Sequence, residues 1–363
     1  MMALLKQWYR RYFSDPQGVI LAFLLLAGTL VILFMGSMLA PLLAALVIAY
    51  LLEGPIAWME RHGIRRIIGV IFVFMAFLLL MFVGSFAVFP VLWAQITELF
   101  KEMPTFIAQA QQVLLNLPER YPFITEEQVR DVVNAIRTHV GNLGQRVLAL
   151  SLASVANIVT ILVYLVLVPF LIFFFLKDKR LILDWIGTYL PRDRALAQSL
   201  WRDLDRQMGN YVRGKFWEIL IVGGVTYVVF SLFGVNYALL LATLTGLSVL
   251  VPYVGAAAVT IPVAVVGYFQ WGASSEFAWL MIAYAIIQAL DGNVLAPLLF
   301  AKVVNLHPVA IIAAILVFGG LWGFWGIFFA IPLATLVSAV LTSWPRTPDA
   351  EEAEPPDPER ASD

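Results

Sequence analysis

Apolar runs of membrane length recur along this chain from Gly18 almost to Trp344, separated by short basic or glycine-rich breaks and by two longer stretches of mixed polarity. A bilayer core about 30 Å thick takes roughly 20 apolar helical residues per crossing, so each run predicts a membrane helix. The first run is broken only at Gly36, Ser37 and Pro41 and predicts two antiparallel helices, about 18–35 and 37–53. A basic loop follows (Glu60-Arg61-His62-Gly63-Ile64-Arg65-Arg66), then a third helix over about 67–94 and a fourth over about 150–176.

Between the third and fourth helices the pattern changes to charges of both signs with Pro104, Pro118 and Pro122. Phe106, Ala110, Val113, Leu114 and Leu117 recur at helical spacing, which predicts an amphipathic external segment. Thr125-Glu126-Glu127-Gln128 has the pattern of a capping box and announces a second such helix through Val129, Val132, Val133, Ile136 and Val140. Its apolar face suits either a substrate-access or partner surface, or simple rest on the membrane or on its own subunit. A second surface helix is predicted where Trp185, Leu200, Trp201, Leu204, Met208 and Tyr211 form an intermittent apolar stripe in a basic stretch.

The final third is apolar but punctuated. A helix of about 216–233 precedes Tyr237–Val251 and Val254–Gln270, which flank Pro252-Tyr253-Val254-Gly255. Fifteen helical residues rise only about 22 Å, so this pair predicts a re-entrant hairpin. A helix of about 277–290 continues through Asp291-Gly292-Asn293 into 294–303, and a last pair, about 308–322 and 327–343, flanks Gly319, Gly320, Gly323 and Gly326. VGAAAVTIP in one pair resembles WGIFFAIP in the other. Interrupted helices paired in inverted orientation point to a transporter's binding region, although glycine and proline also serve close packing in membranes.

These readings predict an all-α, polytopic membrane protein of about eight membrane helices or helical hairpins, two of them re-entrant or broken. Its parts are an N-terminal three-helix membrane region (1–96), an extracytoplasmic amphipathic segment (97–148), a transmembrane helix (149–176), a cytoplasmic amphipathic segment (177–215), a C-terminal membrane transport core (216–344) and a disordered acidic tail (345–363).

Composition agrees: 61% of the 363 residues are hydrophobic and 13% charged, with a mean hydropathy of +0.88, more apolar surface than a soluble fold buries. A net charge of -1 leaves no basic face for nucleic acid. The absence of cysteine excludes disulfides, thiolate metal sites and a cysteine nucleophile. Lys6, Arg10 and Arg11 share a side with the 60–66 loop, which by the positive-inside rule is cytoplasmic, as are both termini. The N-terminal apolar run is too long for a secretion signal and lacks a cleavage site, so it is read as uncleaved.

No HExxH, GxSxG, Walker A or GxGxxG pattern is present, so the chain reads as neither an ATPase nor another enzyme, and no cofactor is expected. His62, His139 and His307 are too scattered for a metal site. Asp291 carries the most information. A carboxylate at membrane depth costs roughly 2.5–3.5 kcal/mol on insertion scales and so faces a polar cavity, a cation or a partner side chain. Gln288 and Asn293 are placed to share such a cavity, and Gly292 lets a ligand approach the backbone. The structural alternative is a cap on the following helix. Arg213, beside Gly214 at an expected hinge, is read as pairing with an intramembrane acid; Glu218 is its candidate partner or a coupling-ion ligand. Lys215 reads as a snorkelling anchor.

The strings YVRGK (211–215), LSVLVPYVGA (247–256), QALDGNVLAP (288–297), VNLHP (304–308) and GGLWGFWGIFFAIPLATLV (319–337) resemble the signature of the autoinducer-2 exporter family, with the permease branch closest; QWYRRYFSDP (7–16) is similar to that branch too. Many members carry Glu-Gly where this chain has Asp291-Gly292, and a glycine near Phe300-Ala301-Lys302. The resemblance implies a multi-spanning bacterial inner-membrane transporter without ATPase parts, some members exporting autoinducer-2 and others exchanging sodium for protons. It also implies homo-oligomers, namely pentamers. The site expected is an intramembrane one near Pro252 and Gly255, Asp291–Asn293 and the glycine-rich 319–326 segment with Gly323 and Gly326, serving a small polar solute with a proton or sodium ion. The partners expected are the lipid bilayer, the solute, a proton or sodium ion, and further copies of the chain. A membrane scaffold that binds proteins through 97–147 is the alternative from another class.

Overall fold

The computed structural model describes residues 16–115, 158–189, 195–252, 254–300 and 307–343, with a few isolated positions between 127 and 138. The second amphipathic helix expected after Thr125, the tail after Trp344, and Tyr253, His139 and Lys302 lie outside them. The described chain is helical throughout its regular elements: α1 (Pro16–Arg61), α2 (Arg66–Val83), α3 (Phe89–Leu115), α4 (Ile158–Lys177), α5 (Lys179–Tyr189), α6 (Ala195–Phe233), α7 (Ala238–Ser248), α8 (Val254–Trp271), α9 (Ser275–Leu290), α10 (Ala296–Phe300), α11 (Pro308–Phe328) and α12 (Ala330–Ser343). Among the described residues six helices are long and apolar enough to cross a membrane. Side chains such as Phe72, Leu79, Leu232 and Leu298 are largely exposed. An apolar surface of that extent needs lipid as its solvent.

The described residues group into two compact units, one drawn from 40–182 and 209–303, the other from 1–39, 183–208 and 304–363. In the first, Ala45, Ala49 and Ile56 of α1 pack on Val70 and Val73 of α2 and on Ile172 and Leu176 of α4. Gly69 admits Ile56 and Met59 to the surface of α2, so the first two helices meet closely. One end of this bundle is tied by Arg66. Its Nη1 and Nη2 donate to the two oxygens of Glu53 at 3.1 and 3.0 Å, and further bonds reach Glu60 at 3.1 Å and the Leu176 carbonyl at 2.7 Å. Lys179 adds a contact to Glu53 at 3.3 Å. A planar guanidinium suits such forked pairing in a way an ammonium does not.

The second core of this unit joins Phe230 of α6, Leu240 and Leu241 of α7, Val263 and Val266 of α8, and Leu280 and Tyr284 of α9. The hairpin α7–α8 is closed at its base by Gln270, whose amide donates to the Gly234 carbonyl and accepts from Asn236 N–H. At its tip Gly255 lies against the Ser248 carbonyl, where any Cβ would overlap the oxygen. α8 alone rises about 27 Å, close to the thickness of a bilayer core.

Several expected breaks are absent. α1 is helical through Gly36, Ser37 and Pro41, so the first hairpin does not form; within apolar helices glycine and a single proline are tolerated because neighbours restore the freed backbone groups. The helix starting at Arg66 does not stop near residue 94 but passes through a π turn (Gly84–Val88) into α3, helical as far as Leu115, the last residue described there. Its far half packs on its own subunit: Leu92, Ile96 and Leu99 border the second core, and Phe106 stacks on Phe269 with centroids 4.6 Å apart. α6 runs unbroken through Gly214, so no hinge separates a surface helix from a crossing there.

In the second unit, α11 and α12 form a hairpin cored by Ala314, Ile315 and Ala330. Its bend is at Gly323, with φ 58° and ψ -133°, a conformation that favours glycine. Gly326 presses against the Phe318 carbonyl much as Gly255 presses against Ser248, so the two hairpins share the same device for closing their tips.

Candidate functional site

The long helix α6 turns one stripe inward: Tyr211, Lys215, Glu218, Val222, Thr226 and Phe230 are all buried, at spacings of three and four residues. Two small residues allow the neighbours to reach it. A Cβ on Gly246 of α7 would lie 2.8 Å from the Ile219 carbonyl, so α7 crosses α6 in backbone contact at Gly246 and Gly223. A Cβ on Gly214 would lie 2.6 Å from the Phe300 ring, which therefore fills the space beside Lys215.

Within that frame Lys215 and Glu218 form a buried ion pair at 2.6 Å, their side chains 5% and 3% exposed. The same ammonium donates to the Val249 carbonyl at 2.7 Å and stands 5.1 Å above the centre of the Phe300 ring. Asp291 interacts electrostatically with both members of the pair, so one ammonium faces two carboxylates. The cluster lies about 27 Å along α6 from Phe233 and about 24 Å along α9 from Ser275, at the end of the bundle that holds the α7–α8 tip.

Asp291 does not break its helix. It opens a π turn (Asp291–Leu295) that carries α9 into α10, with the Ala296 N–H reaching back to the Asp291 carbonyl. Such single π turns re-aim side chains and recur at functional sites. Here the turn leaves Asp291 Oδ1 and Gln288 Nε2 buried without hydrogen-bond partners among the described residues. The Thr226 hydroxyl, two turns beyond Glu218, is likewise buried and unpartnered among them. Further along α9 the Tyr284 hydroxyl lies among Thr245, Thr260 and Gln288. The polar groups thus continue from the ionic cluster into the second core.

The predicted site residues are partly brought together. Gln288, Asp291 and Glu218 share this place, and Pro252 and Gly255 adjoin it through the hairpin tip. Gly292 and Asn293 lie on the exposed side of the π turn, the Asn293 amide donating to the Ala289 carbonyl at 2.8 Å. Gly323 and Gly326 belong to the other unit. Arg213 is not the partner of Glu218: its guanidinium donates to Asn210 Oδ1 at 3.0 Å and packs on Gly54 and Gly209. Lys215 does not snorkel but holds that acid. The difference is one of helical phase, since two residues along a helix turn a side chain to the opposite face. That signal, an i,i+3 Lys–Glu pair on the face of Tyr211 and Val222, was readable in the sequence, and reading Gly214 as a hinge hid it.

Membrane-length helices with lipid-exposed faces, and ionisable groups enclosed between them, define a polytopic membrane protein of the transport class. The comparisons then place it. The AI-2E family transporter model matches residues 21–346, and the chain belongs to that family. It is 46% identical to a protein of Escherichia coli K12 named as the permease PerM, over 97% of this chain and all of that one. It is 29% identical to a Bacillus subtilis protein named as the transport protein YueF, covering 85% of this chain and 84% of the relative. A second Bacillus subtilis protein, named as the transport protein YrrI, is 24% identical over 83% and 85% of the two chains.

Proposed function

We propose that this protein is a secondary transporter that moves a small polar solute, of the autoinducer-2 kind, outward across the bacterial inner membrane, with both termini on the cytoplasmic side and the chain working as a homo-oligomer. The observation that carries the reading is the buried pair of Lys215 and Glu218 with the half-buried Asp291 beside it at a π turn. Buried ionic groups in a membrane protein are expensive, and carboxylates left short of partners are held for something that visits them. In this reading Asp291 meets a proton, a cation or a solute hydroxyl, and Glu218 holds the local charge balance.

The experiment is solute flux into proteoliposomes, comparing the wild type with Asp291→Asn. Lower flux and an altered pH dependence are expected; equal flux with the same pH dependence would end the assignment. A second reading, sodium/proton antiport, is favoured by the excess of carboxylates over ammonium in the cluster. Sodium-driven proton movement in vesicles, without any added organic solute, separates it from the first.

A further inference from the structure

The geometry points to Lys215 as a positioning residue that ties the tip of the α7–α8 hairpin to the charge of the acidic pair, so that neutralising Glu218 releases the tip. The inference rests on the reading of this cluster as part of the transport pathway, but its test does not measure transport.

Val249 is the C-cap residue just past α7, and among the described residues no main-chain N–H bonds its carbonyl. Lys215 supplies the missing donor from another helix, at 2.7 Å, in the position where a cation suits a helix C-terminus. The rest of the tip closes on itself: Val251 N–H bonds the Ser248 carbonyl at 3.0 Å, and the Ser248 hydroxyl bonds the Thr245 carbonyl at 2.7 Å. Among the described residues Lys215 is thus the side chain that hydrogen-bonds the tip to α6, beside the apolar contact of Val249 with Val222.

The ammonium stays there because Glu218 lies one turn on, at 2.6 Å. A charge held between a carbonyl and an aromatic ring with no counter-ion is costly. Once Glu218 takes up a proton, the ammonium gains by moving toward Asp291 or water, and Val249 is left without its donor. Among the described residues, the charged and titratable groups facing the pair come from two elements. α6 contributes Tyr211, electrostatically coupled to Glu218, and the π turn contributes Asp291. Arg213 is bonded elsewhere, Phe300 presents a ring, and the hairpin tip presents main-chain groups and Ser248.

The chain contains no cysteine, so Ser248→Cys places a unique thiol at the tip, where the serine is 8% exposed. Its maleimide labelling rate in full-length protein in nanodiscs is measured across pH and divided by that of Ala273→Cys, at an exposed position in the loop before α9. The expected result is a protected thiol whose relative rate rises as pH falls. Adding Glu218→Gln should raise the rate about tenfold and flatten the pH profile, the loss of one charged hydrogen bond. Lys215→Met should do the same. A Glu218→Gln protein with the parent's rate and profile would overturn the inference; should Lys215→Met aggregate, the near-isosteric Glu218→Gln decides alone. An Asp291→Asn protein with undiminished flux would remove the transport reading and leave this labelling result standing.

Discussion

Lys215 on α6 holds the main-chain oxygen of Val249 at 2.7 Å, although 34 residues of chain separate them. The same ammonium is paired with Glu218, so a single side chain sets where the hairpin tip ends and which charge lies beside it. Four further positions in the same unit can be tested one at a time.

Gly255 has no room for a side chain, because the obstacle is the Ser248 carbonyl and not a movable side chain. Gly255→Ala should destabilise the protein by about 3 kcal/mol, at the upper end for overpacking. Gly224→Ala, in open space on α6, should be neutral or slightly stabilising. Thermal unfolding in detergent checks both.

Gly214 meets a ring that can yield. Gly214→Ala should cost about 1–2 kcal/mol by displacing Phe300, and the double variant Gly214→Ala, Phe300→Leu should recover most of it. Additive losses in the double variant would show that the two residues do not compete for this space.

Gln95 caps α7 from a distant helix, its Oε1 accepting from the Leu240 N–H at 2.8 Å. Gln95→Leu leaves that donor unbonded, and the loss should resemble that of a helix cap, about 1 kcal/mol. Hydrogen exchange should rise at the first turn of α7 and nowhere along α9.

Thr226 is fully buried and its hydroxyl has no partner among the described residues. Thr226→Val keeps the shape and removes an unsatisfied group, so stability should hold or improve. A fall in flux without a fall in stability would mark the hydroxyl as a wayside contact for the solute; unchanged flux would mark it as packing.

Much of the architecture was legible because apolar run length speaks directly to bilayer thickness. The turn at Pro252 was legible too, since a proline beside an aromatic and a glycine has few helical solutions. What the sequence hid was continuity. Gly36, Pro41 and Gly214 look like stops, yet in lipid a helix that stops strands its backbone groups, so it runs on unless something replaces them. At Asp291 the compromise is a π turn, which no propensity foretells. Of the clustered groups, Asp291 was singled out by the cost of a carboxylate at membrane depth, Gln288 by its place beside it, and Glu218 as a partner for Arg213. Lys215 was missed because a lysine near a run boundary looks like an anchor, and only its phase relative to Glu218 says otherwise.

The helix that starts at Arg66 reaches past Phe106, a span of about 60 Å. One end is pinned by the guanidinium to Glu53 and Leu176, and the other leans on Phe269 at the base of the hairpin. Between these contacts the helix departs from ideal geometry at the wider turn of Gly84–Val88 and again at Pro104, which lacks an N–H. The same helix thus sets the distance between the Arg66 knot and the hairpin's root, by a route that does not touch the ionic cluster.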